Sequence, residues 1–370
     1  MNQNQIIEKF ADDYDFEIIN HLGKGGFGTV YEIKLERMNK HFAAKLLEKK
    51  DMFNESELIL QFRGPNLVKV NKIYEKKIME EEDNQKKEKI YNLIIMEKAL
   101  KDLKSFVILL KQGSILKYVV KNPFEMIGDN CTRFIIKQIV KGFETLFMES
   151  CVHFDIKPKN ILIFNNLVTK ITDFGLLRNL NKIKNILNRI EIPGGTPGYL
   201  PPEYYSNDGH KITFEEAFKL DYFSLGATIF YLKYGGNMLK YQKFKDKFIT
   251  ANYIKELMQI AINKIKTTKS NDKDFINFLC KLIQYNPKDR LSFEEIHRNK
   301  WLNKNWNQIL EIMQANFEDE EKIIEELNKS DFLFKKNKYV NNQRNLINGN
   351  NINYLITNLL ISKNIKLLKL

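Results

Sequence analysis

Cysteine is scarce in this chain of 370 residues. There are three, Cys131, Cys151 and Cys280, far apart and without metal-ligand spacing. They read as core or surface thiols in a reducing compartment, the cytoplasm or the nucleus. No uninterrupted apolar run is long enough to cross a bilayer, so no transmembrane segment is expected. The N-terminus, MNQNQIIEKF, lacks the form of a secretory signal. No zinc-finger or RNA-binding signature is present, so no specific nucleic-acid partner is expected. There is no internal repeat.

What is present is ample for a folded core. The chain is 43% hydrophobic, 12% aromatic and 28% charged, in the range of globular proteins. Its length suits two packed lobes better than one small core. The net charge of +13 comes from scattered lysines and not from one block, so it reads as solvated surface.

The first stretch has strand character. Phe16 to Asn20 alternates, a glycine-rich turn follows, and Thr29 to Leu35 and Phe42 to Leu47 continue an antiparallel meander. Leu58, Ile59 and Phe62 have helical spacing within Asn54 to Phe62, and Gly64-Pro65 stops that helix. Strands are expected near Leu67 to Tyr74 and Ile90 to Glu97. The charged run between them, Glu75 to Lys89, reads equally as a mobile loop insertion or a solvated helix. After Lys98 the period changes to that of helices, over Phe134–Met148, Phe214–Lys233 and Asp274–Tyr285. The compact pattern ends near Trp301 to Trp306. Ile309–Leu327 is expected to be helical, and Asn337–Asn353 disordered. Tyr354–Leu370 reads as a loose tail or as a helix docking on the domain or a regulatory partner, through Leu355, Leu359, Leu360 and Leu367.

Gly23-Lys24-Gly25-Gly26-Phe27-Gly28-Thr29-Val30 is G-x-G-x-x-G-x-V between two expected strands. Glycines let a backbone lie close over phosphates, and Phe27 at the tip can exclude water. A dinucleotide-binding loop with similar spacing is followed by a helix, whereas a strand follows here. One strand later, Ala43-Ala44-Lys45 places a lysine among apolar residues. A buried ammonium needs anions. Phosphates and a carboxylate of the next helix would serve, with Glu55 or Glu57 as that carboxylate. The two lie about 200° apart around a helix, so only one can face Lys45.

His153-Phe154-Asp155-Ile156-Lys157-Pro158-Lys159-Asn160 is the most specific stretch. Phosphoryl transfer requires a carboxylate to orient the attacking hydroxyl, a cation near the transferred group, and magnesium ligands. Asp155, Lys157 and Asn160 are these types within one loop. Asp173-Phe174-Gly175 follows the strand-like Val168–Thr172, and Asp173 is a second magnesium ligand.

In this order the motifs resemble those of eukaryotic protein kinases, from the glycine loop to about Trp301. The resemblance implies an α+β bilobal fold, with an antiparallel β-rich N-lobe and a mainly helical C-lobe that hold ATP and Mg2+ between them. The kinase domain would span 14–304, with N-lobe 14–97, hinge 97–102 and C-lobe 103–304, followed by a tail over 305–370. Asp155, Lys157, Lys45 and Thr196 would be catalytic, and Asn160 and Asp173 would hold the metal. Leu22, Gly23, Gly25, Gly26, Phe27, Gly28, Val30, Ala43, Lys45, Glu55, Met96, Glu97, Ala99 and Leu162 would line the nucleotide site. Met96 would be the gatekeeper, and Glu97 and Ala99 would offer backbone groups to adenine. His153, Phe174, Ile59 and Val70 would form an apolar column joining the lobes. Glu203 would pair with Arg290, and Asp221 would brace the catalytic loop.

Lys157 with Thr196 resembles the serine/threonine branch, so the substrate would be a protein hydroxyl. The sequence departs from the family at Phe154, where most members have an arginine that binds a phosphate on the activation segment. Phe174 to Gly195 contains no Ser, Thr or Tyr. A kinase that does not need activation-loop phosphorylation is therefore expected. The alternative is a pseudokinase, a nucleotide-binding scaffold, but Lys45, Asp155, Asn160 and Asp173 are all present.

Overall fold

The computed structural model describes residues 2–26, 28–49, 56–62, 64–82, 85–112, 129–183, 189–205, 211–239, 251–268, 272–304 and 307. Phe27, Glu55, the side chain of Glu57, and the tail segments 309–327, 337–353 and 354–370 lie outside the described residues.

The first lobe is a five-stranded antiparallel sheet in the order β1-β2-β3-β5-β4. Its strands are β1 (Phe16–Gly25), β2 (Gly28–Leu35), β3 (Lys40–Glu48), β4 (Val70–Glu82) and β5 (Gln85–Glu97). Side chains alternate across a strand, so each strand serves two layers. Ala43, Leu47, Ile94 and Met96 belong to the main core between the lobes. Tyr31, Ile33, Ala44, Leu46, Leu93 and Ile95 form a second cluster on the opposite face.

That opposite face is covered by helix α1 (Gln3–Tyr14), which buries Ile6, Ile7 and Phe10 against it. Sequence reasoning misses this helix, although its signal is present: an Asn2/Gln5 capping box ahead of apolar residues at helical spacing. Helix α2 (Ser56–Gln61) occupies the place expected of it and packs Ile59 and the following Phe62 into the main core.

The described residues of the run Glu75–Lys89 are neither loop nor helix but strand. They form the outer half of the β4–β5 hairpin, in register from Glu75↔Asn92 to Glu82↔Gln85. Its polarity has a physical reason. One face carries solvent-side pairs such as Lys77–Glu88 at 2.9 Å. The other buries Ile78 with Tyr91 beneath α1, and there Tyr91 donates to Glu80 at 3.0 Å. A strand half sheltered by a distant helix has too few apolar residues to show a period.

The chain leaves the sheet at Glu97 and makes the short strand β6 (Lys101–Asp102) before α3 (Leu103–Gln112). The second lobe is mainly helical: α4 (Asp129–Met148), α5 (Phe214–Tyr234), α6 (Ala251–Thr267), α7 (Lys273–Leu282), α8 (Phe293–His297) and α9 (Lys300–Asn303). Helix α5 is buried along almost its whole length and begins with a Thr213/Glu216 capping box. It is the central post of the lobe. Short strands β7 (Cys151–Val152), β8 (Ile161–Ile163), β9 (Thr169–Ile171) and β10 (Arg178–Asn179) carry the loops facing the sheet. Strands β11 (Arg189–Glu191) and β12 (Lys211–Thr213) pair with each other. The fold is thus α+β and bilobal. Among the described residues no helix is long and apolar enough to cross a membrane, and Cys131, Cys151 and Cys280 form no disulfide with one another.

Candidate active site

The glycine-rich segment is the β1–β2 hairpin, with Gly25 opposite Gly28 and Gly23 opposite Val30. Gly28 has φ of +133°, and a Cβ there would lie 2.2 Å from the Leu46 carbonyl oxygen, so no side chain fits. Gly23 and Gly26 differ: an added Cβ would meet nothing within 4 Å among the described residues. The packing of the described residues does not require glycine at those two positions, whereas close approach of a ligand to the backbone would.

Beneath the hairpin, Val30 pairs with Lys45, and Ala43 with Met96. Val30 and Leu162 pack, partly buried, against the core that contains Ala43, Met96 and Val70. Leu22 is exposed at the mouth. Apolar side chains from both lobes thus meet in one cluster beneath the hairpin.

Lys45 is buried on β3, and its Nζ donates to Asp173 Oδ1 at 2.6 Å. Asp173 has φ of +64°, a left-handed conformation that turns its carboxylate back toward the sheet. Burial pushes the Asp173 carboxyl up. The Lys45 charge and hydrogen bond, with His153 and Lys157 behind them, outweigh burial and hold it below its ordinary value.

The catalytic loop converges on one carboxylate. Asp155 Oδ1 accepts from Thr196 Oγ1 at 2.7 Å. Its Oδ2 accepts from Lys157 Nζ at 2.5 Å and from Asn160 Nδ2 at 2.9 Å. Lys157 Nζ also donates to Thr196 Oγ1 at 2.5 Å. Asp155 is 4% exposed, so these bonds rather than water define its direction. Asn160 spends its amide nitrogen on Asp155, donating to the backbone oxygen as well at 2.9 Å. Its carbonyl oxygen is the atom left for a cation. Thr172 N–H donates to Asn160 O at 2.9 Å, which ties the residue before Asp173 to the same loop. One carboxylate and one amide oxygen form a hard-oxygen set of the kind that holds Mg2+ when phosphates and waters supply the remaining ligands.

The loop itself is braced from below. Asp221, on α5, accepts from the N–H groups of His153 at 2.7 Å and Phe154 at 2.9 Å. Burial raises its carboxyl to about 6, against the opposing effects of His153 and these two bonds. His153 Nε2 lies 2.9 Å from Thr172 O, and its ring stands edge-on to Phe174 at 5.7 Å. Phe174 in turn meets Phe62 at 5.5 Å, a contact that the sequence does not single out. Ile59 and Val70 lie in the same core.

Phe154 has φ of +65° and is buried. Its ring belongs to an apolar cluster with Val152, Leu176, Leu180, Ile190, Ile192 and Ile212. Four of these come from the segment after Asp173.

Arg290 meets Glu203 with two parallel bonds, 2.7 and 2.6 Å, and lies 4.9 Å over the Phe223 ring. This fork anchors the end of the segment that carries Thr196. Glu97 contributes more than its backbone. Its carboxylate accepts from Lys170 Nζ at 2.8 and 2.7 Å and from the Lys69 N–H at 2.7 Å. It joins the two lobes at the crossing, and no sequence signal marks Lys170 as its partner.

Comparison with known proteins agrees with this geometry. The protein kinase domain family matches residues 16–302. The Aurora kinase of Saccharomyces cerevisiae is 28% identical over 308 residues, covering 82% of this chain and 74% of that protein. A cGMP-dependent protein kinase of Drosophila melanogaster, isozyme 2 forms cD5/T2, is 27% identical over 318 residues, covering 81% of this chain. CBL-interacting serine/threonine-protein kinase 12 of Arabidopsis thaliana is 25% identical over 303 residues. The chain spans 30% of the length of the Drosophila protein and 54% of that of the Arabidopsis protein.

Proposed function

Because the chain belongs to the protein kinase family, we propose that it transfers the γ-phosphate of ATP to serine or threonine hydroxyls of proteins. The observation that carries this reading is the Asp155 carboxylate, buried and held by Lys157, Asn160 and Thr196. Asp155 accepts the proton of the attacking hydroxyl as the new O–P bond forms and the bond from the γ-phosphorus to the β–γ bridging oxygen breaks. Lys157 lies where negative charge spreads over the moving phosphoryl group, and Lys45 faces the phosphates from the sheet side. Magnesium, held by Asp173 and the Asn160 carbonyl oxygen, supplies further charge neutralisation when bound. Thr196 spans Asp155 and Lys157 and limits where the acceptor hydroxyl can sit. Val30, Ala43, Met96 and Leu162 enclose adenine, and the backbone of Glu97 and Ala99 reads its edge.

The reading extends to regulation. Phe154 stands where the family resemblance puts an arginine, and its ring cannot pair with a phosphate as a guanidinium does. Residues 174–195 carry no hydroxyl, and the Phe154 cluster holds that segment by burial. The kinase is thus active without a phosphate on its activation segment.

The test is magnesium-ATP turnover on a generic basic protein, with Asp155→Asn as the comparison. Loss of the base lowers kcat by at least ~100-fold while nucleotide affinity stays within a few-fold. Equal turnover by both proteins removes Asp155 from this role.

A further inference from the structure

The residues of the proposed site face the inner side of the sheet. The return strand of the glycine hairpin, β2, also presents Thr29, Tyr31 and Ile33 to the outer side, by simple alternation. Tyr31 and Ile33 are buried there with α1 residues, and Thr29 is 2% exposed. Two side-chain bonds join the first turn of α1 to this strand. Thr29 Oγ1 donates to Gln3 Oε1. Tyr31 OH donates to Asn4 Oδ1 at 2.9 Å. Thr29 directly follows Gly28, and across the hairpin it pairs with Lys24.

The helix is well placed to act as a fixed point. Its start is held by the Asn2/Gln5 capping box, with both bonds at 2.9 Å. Ile6, Ile7 and Phe10 anchor its middle at 1% exposure or less. Its end is tied to β4: Lys76 Nζ donates to Lys9 O and pairs with Asp13, both at 2.6 Å, and Tyr14 stacks on Tyr74 at 3.7 Å. One residue later, Asp15 turns through a left-handed C-cap and the chain becomes β1. A single rigid element therefore grips both strands of the hairpin, β1 through the chain and β2 through Gln3 and Asn4.

We propose that Gln3, seconded by Asn4, is a positioning residue that sets the height of the glycine hairpin over ATP. This rests on the reading that the hairpin covers the ATP phosphates. A glycine-rich hairpin has many conformations to lose when it closes on a ligand. Tethering its return strand from behind reduces that ordering cost before the nucleotide arrives. The tether touches neither the nucleotide nor the reacting atoms, so it acts on affinity and not on the chemical step.

The experiment compares full-length wild type with Gln3→Ala, Gln3→Glu and Thr29→Val. Gln3→Ala and Thr29→Val should each weaken Mg-ATP binding by calorimetry, and raise KM for ATP, by about three- to tenfold, the usual worth of one partly buried hydrogen bond. The value of kcat should stay within about twofold. Gln3→Glu keeps an acceptor oxygen for Thr29 and should restore wild-type KM. The double variant Gln3→Ala/Thr29→Val should be no worse than either single change. Amide exchange over Gly28–Ile33 in the nucleotide-free protein should accelerate in Gln3→Ala, a readout independent of ATP. A lowered Tm with unchanged KM and unchanged exchange over that strand would overturn the proposal and leave Gln3 a stability contact. If wild type itself fails to bind Mg-ATP, the functional reading falls and this proposal with it. If wild type binds ATP and Gln3→Ala binds equally well, the proposal alone falls.

Discussion

Replacing Phe154 by alanine removes a ring that is 5% exposed from the cluster joining the catalytic loop to the segment after Asp173. A buried Phe→Ala change costs about 3–5 kcal/mol, the sum of lost transfer energy and an unfilled cavity. The backbone strain at φ of +65° persists in alanine, so no compensation comes from that source. Leu176, Leu180, Ile190 and Ile192 lie on a segment whose described elements are short strands and single 3-10 turns, so the loss falls first on its local attachment. At about 1.4 kcal/mol per factor of ten, the detached fraction rises by roughly two to three and a half orders of magnitude. Phe154→Arg should be at least as damaging. It buries a guanidinium in an apolar cluster, and the segment has no hydroxyl that could carry a compensating phosphate. The assays are thermal unfolding, amide exchange over residues 176–183 and 189–192, and turnover on a basic protein. Both variants should exchange faster over those residues and lose turnover, with Phe154→Arg unstable as well. Wild-type stability and activity in Phe154→Arg would refute the reasoning. So would loss of wild-type activity on phosphatase treatment.

Two further outcomes follow from buried charges. The Asp221 carboxyl is raised by burial from 3.8 to about 6, so its protonated form is favoured in the folded state. That contribution is full below about pH 3.8 and is lost as pH rises through about 6. Relative to Asp221→Asn, which cannot titrate, wild-type unfolding free energy should fall by on the order of 3 kcal/mol across that window; a flat difference in urea titrations would rule this out. Glu203→Gln leaves the buried Arg290 guanidinium without its anion and should cost about 3–5 kcal/mol in the same assay, whereas a change below about 1 kcal/mol would mean that water or another acidic group has replaced it.

Much of the site is legible in the chain because its chemistry is local. Asp155, Lys157 and Asn160 lie within six residues, and the loop that carries them is too short to separate them. Their mutual hydrogen bonds follow from that spacing. The strands of the sheet, apart from the outer half of β4–β5, and helices α4, α5 and α7 are legible for a related reason: each is long enough to display its period, with one face or its whole surface buried.

What the sequence alone determined, then, is the inventory: the kinds of group, their local spacing and the two-lobed class of fold. Tertiary structure decided which distant groups meet. Lys45 reaches Asp173 across 128 residues, and Glu97 takes Lys170 rather than solvent. The charged run 75–89 becomes a hairpin only because α1 shelters one face of it. A residue 26 positions upstream holds Thr29 behind the glycine hairpin. None of these pairings has a local signature, because a side chain's period reports only that it is buried. Which partner it is buried against depends on how the lobes and the N-terminal helix close around the sheet.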